Sequence, residues 1–245
     1  MRDATFAVEA AVEAEHWWFV GRRRLFAREI ARRRIGPAAR ILDLGTSTGT
    51  NLRMLREAGF ANVAGLDSSE EALRWCLDKL PGKVVRGDIT RLPFAHAQAD
   101  LVLATDVIEH LDDDRAAIRE IARVLKPGGA VLVAVPTFAL LWGLQDEVAH
   151  HKRRYRKHDV QQMLSDAGLI VERAYYFNYL LFLPILVART LLRWIRPAVS
   201  SENEINSPLL NRTLSAIFAF DVATAPLIQP PFGVSALVLA SKPVR

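Results

Sequence analysis

ILDLGTSTGTN, residues 41–51, is the segment that decides how this chain folds. Ile41 to Leu44 form a short apolar run carrying one acid, Asp43, and read as a buried strand. Gly45 and Gly49 then fall in the turn that opens a helix. Glycine lets the backbone adopt left-handed conformations and lets a ligand approach it closely. In an open parallel sheet, ligands bind outside the carboxyl ends of the strands, where this turn lies.

Outward from that segment the same alternation repeats. NVAGLD, KVVRGD, ADLVLATD and AVLVAVP read as four further strands. TSTGTNLRMLREAG, SSEEALRWCLDKL and DDRAAIREIARVLKPGG read as the helices between them, with Gly59 ending the first and Ser68 or Ser69 capping the second. Strands alternating with helices at this spacing mean βαβ units and a parallel sheet. The strands are continuous apolar runs, as expected when helices cover both faces. LIVERAYYF and GVSALVLASKP read as strands six and seven, and KHDVQQMLSDAG as a further helix. Residues 4–34 read as a helix in two pieces around 15–18, and FALLWGLQDEVAHHKRRY as loop-like.

Hydrophobic residues make up 51% of the 245 and charged residues 24%, which suits a globular chain with a sizeable core. A single cysteine, Cys76, excludes an internal disulfide and fits a reducing compartment. The first 16 residues carry early acids and no long apolar run, so no secretory signal is expected and a cytoplasmic location is. The net charge of +5 permits an anionic partner: nucleic acid, a phosphate-bearing substrate or a membrane surface.

The ordered set ILDLGTSTGTN, VAGLDSSEEAL, VVRGDITRLPF, ADLVLATDVIEHL and REIARVLKPGGAVLVAVP resembles the class I S-adenosylmethionine-dependent methyltransferases. A dinucleotide dehydrogenase would show G-x-G-x-x-G, and that spacing is absent. The resemblance implies an α/β fold: a seven-stranded, Rossmann-like, mostly parallel sheet with the last strand antiparallel. N-terminal helices at 1–37 would form a lid on a methyltransferase domain over 38–245, with a helical insertion at about 178–230. It implies S-adenosylmethionine as cofactor and S-adenosylhomocysteine as product. Asp43, Gly45, Ser47 and Gly49 would surround the methionine end, and Asp67 with Ser68 the ribose. Asp88 and Ile89 would flank the adenine, and Thr105 and Asp106 would lie under the methionine part. The family usually has glycine where Ser47 stands.

Methyl transfer to a hydroxyl requires alignment and removal of a proton. His110 and His151 are the candidate bases, with Asp146 as a second base or as the partner that orients His151. A bacterial subgroup of the family has segments similar to HHKRRY at this place and to HWWF at the N-terminus. Trp142, Arg153, Arg154 and Tyr155 are expected at the acceptor, with the two arginines holding a phosphate or carboxylate. No metal is expected, because Asp146, His150 and His151 lack a further well-spaced ligand group.

HWWFVGRRRLF, residues 16–26, reads as an aromatic lid in which Trp17 and Trp18 meet the acceptor and Arg22 and Arg23 face its anionic group. The alternative is that both tryptophans only anchor the helix. AYYFNYLLFLPILVA, residues 174–188, is short for a membrane span and is broken by Pro184; Arg189, Arg193 and Arg196 follow. Leu210, Leu214, Ile217 and Phe218 share one helical face. These segments suit either packing on the core or a dimer interface, or docking at the inner face of a membrane.

The expectation is an O-methyltransferase acting on a small or lipid-linked anionic acceptor, as a monomer or homodimer. A cofactor-binding regulatory protein and a nucleic-acid methyltransferase are the alternatives. Nucleic acid is disfavoured, since ATDVIEH lacks an Asn/Asp-Pro-Pro-aromatic pattern and no binding module is visible.

Overall fold

The computed structural model describes residues 3–79, 83–195 and 207–244. Seven strands pair into one sheet: β1 (Arg40–Leu44), β2 (Asn62–Asp67), β3 (Val84–Arg86), β4 (Ala99–Thr105), β5 (Leu125–Pro136), β6 (Ile170–Phe177) and β7 (Ser235–Ser241). Their order is β3-β2-β1-β4-β5-β7-β6, with β7 antiparallel to both neighbours. Asp43 pairs with Gly65 on one side and Leu103 on the other, which aligns the carboxyl ends of β1, β2 and β4. The chain reverses its direction across the sheet there, and that is where a doubly wound fold opens a crevice.

The helices are α1 (Asp3–Val12), α2 (Trp17–Arg32), α3 (Thr50–Glu57), α4 (Glu70–Lys79), α5 (Asp114–Val124), α6 (Leu144–Val148), α7 (Lys157–Asp166), α8 (Phe182–Ile195) and α9 (Pro208–Ile228). On one face of the sheet, Leu25 and Phe26 of α2, Leu52 and Leu55 of α3, and Phe218 and Val222 of α9 form a core with Leu101, Leu103 and Leu132. On the other face, Ile118 and Ile121 of α5 and Val160 and Leu164 of α7 pack on Val102, Val131 and Val133. Burying each such side chain contributes about 1.5–3 kcal/mol.

Helices α2 and α9 therefore share a face. Gly21 makes this possible: a Cβ there would lie 2.2 Å from Cδ1 of Phe218. Trp17 meets the Phe218 ring edge to face at 5.3 Å, and Trp18 stacks on it at 5.3 Å. The break before α2 has a local cause. Nδ1 of His16 accepts from the backbone N–H of Trp18 at 3.3 Å. Asn211 of α9 accepts from the Trp17 N–H at 2.8 Å and donates to the Glu15 carbonyl at 3.0 Å. Asp221 holds α9 to the end of β6 by accepting from the N–H groups of Asn178 (2.6 Å) and Leu180 (2.9 Å).

Three sequence expectations change. The KPGG stretch belongs to β5 rather than to the end of α5, because Leu125 already pairs with Ala99. Pro184 does not break the apolar segment; it sits in the first turn of α8, where a missing N–H costs no intrahelical bond. The segment called loop-like contains α6. Among the described residues, no helix is long and apolar enough to cross a membrane. Arg196 lies outside the described residues.

Candidate active site

The turn after β1 is held from three sides. Gly45 and Gly49 have φ of 70° and 81°, and a Cβ on Gly45 would lie 2.5 Å from Cγ2 of Val107. The N–H groups of Gly45 and Thr46 donate to the Leu66 carbonyl at 2.8 and 3.1 Å. Asp67 accepts from the N–H of Ser47 at 3.0 Å and of Ser69 at 2.9 Å, so its carboxylate ties the turn to the start of α4. Asp43 is fully buried and accepts from Thr46 Oγ1 (2.8 Å) and Asn51 Nδ2 (3.1 Å). Burial pushes the Asp43 carboxyl up to about 6.

Ser47 has φ of 48°, the left-handed region. That conformation costs a non-glycine residue about 1–2 kcal/mol. Its hydroxyl donates to Oε2 of Glu9 at 2.8 Å, a contact glycine could not make. Thr48 bonds Glu13 in the same way, and Arg23 donates to the Glu13 carbonyl (2.6 Å) and to Thr50 Oγ1 (2.9 Å). Helix α1 therefore lies on the glycine turn through Glu9 and through Glu13, the residue that follows its last turn.

Burial pushes the Glu9 carboxyl up to about 7, against the Ser47 bond and Arg22, which pull it down. A raised carboxyl favours the docked state at low pH. Its contribution is complete below the unfolded value, 4.5, and is lost as pH rises through about 7. Amide protection factors in α1 are therefore expected to fall between about pH 5 and about pH 8, and the Glu9→Gln variant to lose most of that dependence. Protection that rises over the same interval contradicts this role for Glu9.

Next to the turn is a cavity of about 410 Å³. It is lined by the turn Gly45–Thr48 with Thr105 and Asp106, by Trp17, Trp18, Phe19 and Phe26, and by His110, His151, Arg154 and Arg189. Arg22 forms an ion pair with Asp106 and lies over the Trp18 ring, 5.2 Å from its centre.

His151 and Asp146 are paired. Asp146 is fully buried and lies 2.7 Å from Nδ1 of His151. It also accepts from Nε and Nη2 of Arg154 at 2.8 and 2.9 Å and from the Gly143 N–H at 2.8 Å. These partners outweigh burial and hold its carboxyl below the usual carboxylate range. Asp146 is thus a permanent anion that fixes the proton of His151 on Nδ1 and leaves Nε2 open. His110 lies edge to face with His151, ring centres 4.8 Å apart. Burial and the neighbouring imidazole push it down to about 4, so it is a neutral ring and a weak base at neutral pH.

A glycine turn at the carboxyl end of β1, a carboxylate latching that turn from the end of β2, and an adjoining cavity fit a nucleoside-bearing ligand. Residues 42–133 match a family described as "Methyltransferase domain". That match, from β1 into β5, is where the chain is similar to the methyltransferases. Its sequence is 37% identical over 110 residues to the demethylmenaquinone methyltransferase of Mycobacterium tuberculosis, covering 44% of this chain and 46% of that protein. The chain spans about a third to about three fifths of the length of the curated relatives it matches. Two solved structures share the fold. One is a chain of the complex containing the Haloferax volcanii Trm112 methyltransferase activator (TM-score 0.66, 22% identity, 98% of this chain and 95% of that one). The other is phosphoethanolamine N-methyltransferase 2 of Haemonchus contortus with S-adenosyl-L-methionine (TM-score 0.57, 21% identity, 85% and 50%).

Around this cavity the expected residues divide. Gly45, Ser47, Thr105 and Asp106 border the cavity together with Trp17, Trp18, Arg22, Arg23, His110, His151 and Arg154. Asp43 and Gly49 lie behind the turn, against Thr46 and Cys76. Asp67, Ser68, Asp88 and Ile89 lie at the ends of β2 and β3, outside the cavity. Asp88 accepts from Thr90 N at 2.8 Å, and the Ser68 carbonyl accepts from Arg86 at 3.3 Å. Asp146 sits behind His151, and Trp142 is not in the cavity wall. Arg153 bonds Asp114 and the carbonyls of Leu111 and Asp112, and the Tyr155 hydroxyl bonds Asp114 at 2.8 Å. Both brace the start of α5 and neither lines the cavity. Sequence reasoning missed Glu9 and Asn178. Both polar side-chain atoms of Asn178 are buried without a hydrogen-bond partner, at the cavity wall.

Proposed function

We propose that this chain transfers the methyl group of S-adenosylmethionine to a hydroxyl oxygen of a small or lipid-linked acceptor. The observation that carries the reading is one cavity that joins the glycine turn to the His151–Asp146 pair. Bound S-adenosylmethionine supplies an electrophilic methyl on a sulfonium sulfur and leaves as S-adenosylhomocysteine. The turn Gly45–Thr48 and Asp106 would hold its methionine end, Asp67 its ribose, and Asp88 with Ile89 its adenine. Nε2 of His151 takes the acceptor's proton as the oxygen–methyl bond forms, and Asp146 stabilises the imidazolium. The aromatic wall of Trp17, Trp18 and Phe19 keeps water from the reacting atoms, with α1 and α2 as the lid over domain 38–245.

An apolar body bearing a hydroxyl suits these walls better than the anionic acceptor read from sequence. Arg22 pairs with Asp106 and Arg154 with Asp146, and Arg189 donates to the Leu141 carbonyl, so these charges already have partners. Asn178 offers a donor and an acceptor to the acceptor's polar group. The name of the mycobacterial relative, a demethylmenaquinone methyltransferase, supports a quinone-related acceptor. Leu183, Val187 and Leu191, exposed at successive turns of α8, would meet the lipid surface that presents it.

The test is S-adenosylhomocysteine formation with a panel of prenylated and simple hydroxyaromatic acceptors. His151→Ala is expected to lower kcat by about 10²–10⁴ and to change cofactor affinity less than about threefold. Turnover that survives this substitution removes His151 as the base. A chain that binds duplex DNA or RNA with steep salt dependence and methylates it supports the nucleic-acid alternative instead.

A further inference from the structure

Glu109 is the residue that the methyl-transfer reading does not use. It is 0% exposed, and neither carboxylate oxygen has a hydrogen-bond partner. A buried carboxylate with no donor costs several kcal/mol unless it is neutralised or coordinates a cation. Two imidazoles stand beside it. Nε2 of His151 lies 3.9 Å from Glu109 Oε1, and one ligand atom each from Glu109, His110 and His151 lie within 4.8 Å of one another. The three come from two chain segments, tied together by a backbone bond from the Lys152 N–H to the Glu109 carbonyl at 2.8 Å.

We propose that Glu109, His110 and His151 bind a first-row divalent transition-metal ion at the acceptor end of the cavity. Two imidazoles and one carboxylate are a donor set for zinc, iron or manganese that leaves coordination positions open for a substrate oxygen. Asp146 supplies the outer support such a site uses. A carboxylate on Nδ1 sets the tautomer of a ligating histidine and aims its Nε2 at the metal. The neighbouring guanidiniums do not oppose a cation outright, because Arg22 is paired with Asp106 and Arg154 with Asp146. Ligand atoms around such an ion lie about 3–3.5 Å apart, so a bound ion draws the three together by roughly an ångström. The inference rests on the reading of this cavity as the acceptor site. With an ion present, Nε2 of His151 would be a ligand and would no longer serve as the base; the ion would acidify the acceptor hydroxyl, whose proton would leave to bulk water before the methyl group is transferred to the oxygen.

The full chain, stripped with a chelator, is titrated with Zn²⁺ against a chromophoric competitor and with Co²⁺ followed by its visible absorption. S-adenosylmethionine affinity and Tm are measured on the same samples. One Zn²⁺ per chain is expected, at micromolar or tighter affinity, with a Co²⁺ spectrum of nitrogen and oxygen ligation. Glu109→Gln and His151→Gln, each still melting cooperatively, are expected to weaken Zn²⁺ at least tenfold. Zn²⁺ held equally well by both variants, or no Zn²⁺ binding by a chain that binds S-adenosylmethionine, overturns the metal site and leaves the methyltransferase reading standing. Zn²⁺ binding lost in both variants, in a chain that shows no cofactor affinity, supports the ion site while the methyl-transfer reading fails.

Discussion

Replacing Asp67 with alanine is expected to weaken S-adenosylmethionine binding at least a hundredfold. In the structure this carboxylate already accepts from the N–H groups of Ser47 and Ser69. Its position at the end of β2 would also place it to accept from both ribose hydroxyls. Hydrogen bonds to a charged group are worth about 1.5–3 kcal/mol each. Losing two to the ribose removes about 3–6 kcal/mol, and every 1.4 kcal/mol is about tenfold in Kd. The turn also loosens, because Ser47 loses the bond that offsets part of its left-handed backbone. Calorimetric titration of the variant checks this, with Tm as the control for folding. An unchanged Kd would mean that the nucleoside lies elsewhere.

The second large effect is on stability. Asp146→Ala removes the partner of His151 and of a bidentate Arg154 whose side chain is 3% exposed. Breaking a buried pair from one side costs about 3–5 kcal/mol, since the remaining charge is left uncompensated. For a chain of this size each kcal/mol shifts Tm by about 2–4 °C, so a fall on the order of 10 °C is expected. The pH dependence follows from the same carboxyl, which is depressed in the fold. Its contribution is complete above the unfolded value of about 3.9 and is lost as pH falls toward the folded one. The variant should therefore lack part of the wild-type acid limb below about pH 4. Differential scanning calorimetry at neutral and acid pH measures both. A Tm within about 2 °C of wild type would contradict the buried-pair account.

The sheet was legible in the sequence because its signals are local. Each strand is an apolar run, and the glycine turn at 45–49 marks the ligand edge without reference to distant residues. The site was only half legible, because its other half is made by docking. Glu9 and Glu13 are spaced like any pair on one helix face, and only the packing of α1 on the turn makes them partners of Ser47 and Thr48. The His16 cap of α2 is completed by Asn211, 195 positions away in the chain, so the break was visible and its cause was not. Arg153 and Arg154 are neighbours in an extended stretch, where successive side chains point to opposite sides. The sequence offered both to the acceptor; the fold gives Arg153 to α5 and Arg154 to Asp146. Leu125 joins β5 through backbone pairing with Ala99, which no side-chain pattern announces.

The central claim is that the turn at 45–49 and the cavity beside it bind S-adenosylmethionine. Isothermal titration of the purified chain with S-adenosylmethionine and S-adenosylhomocysteine tests it most directly. The account predicts saturable micromolar binding of both, one molecule per chain. No heat from either ligand, in a chain that melts cooperatively, would contradict it and would leave the cavity without its proposed methyl donor.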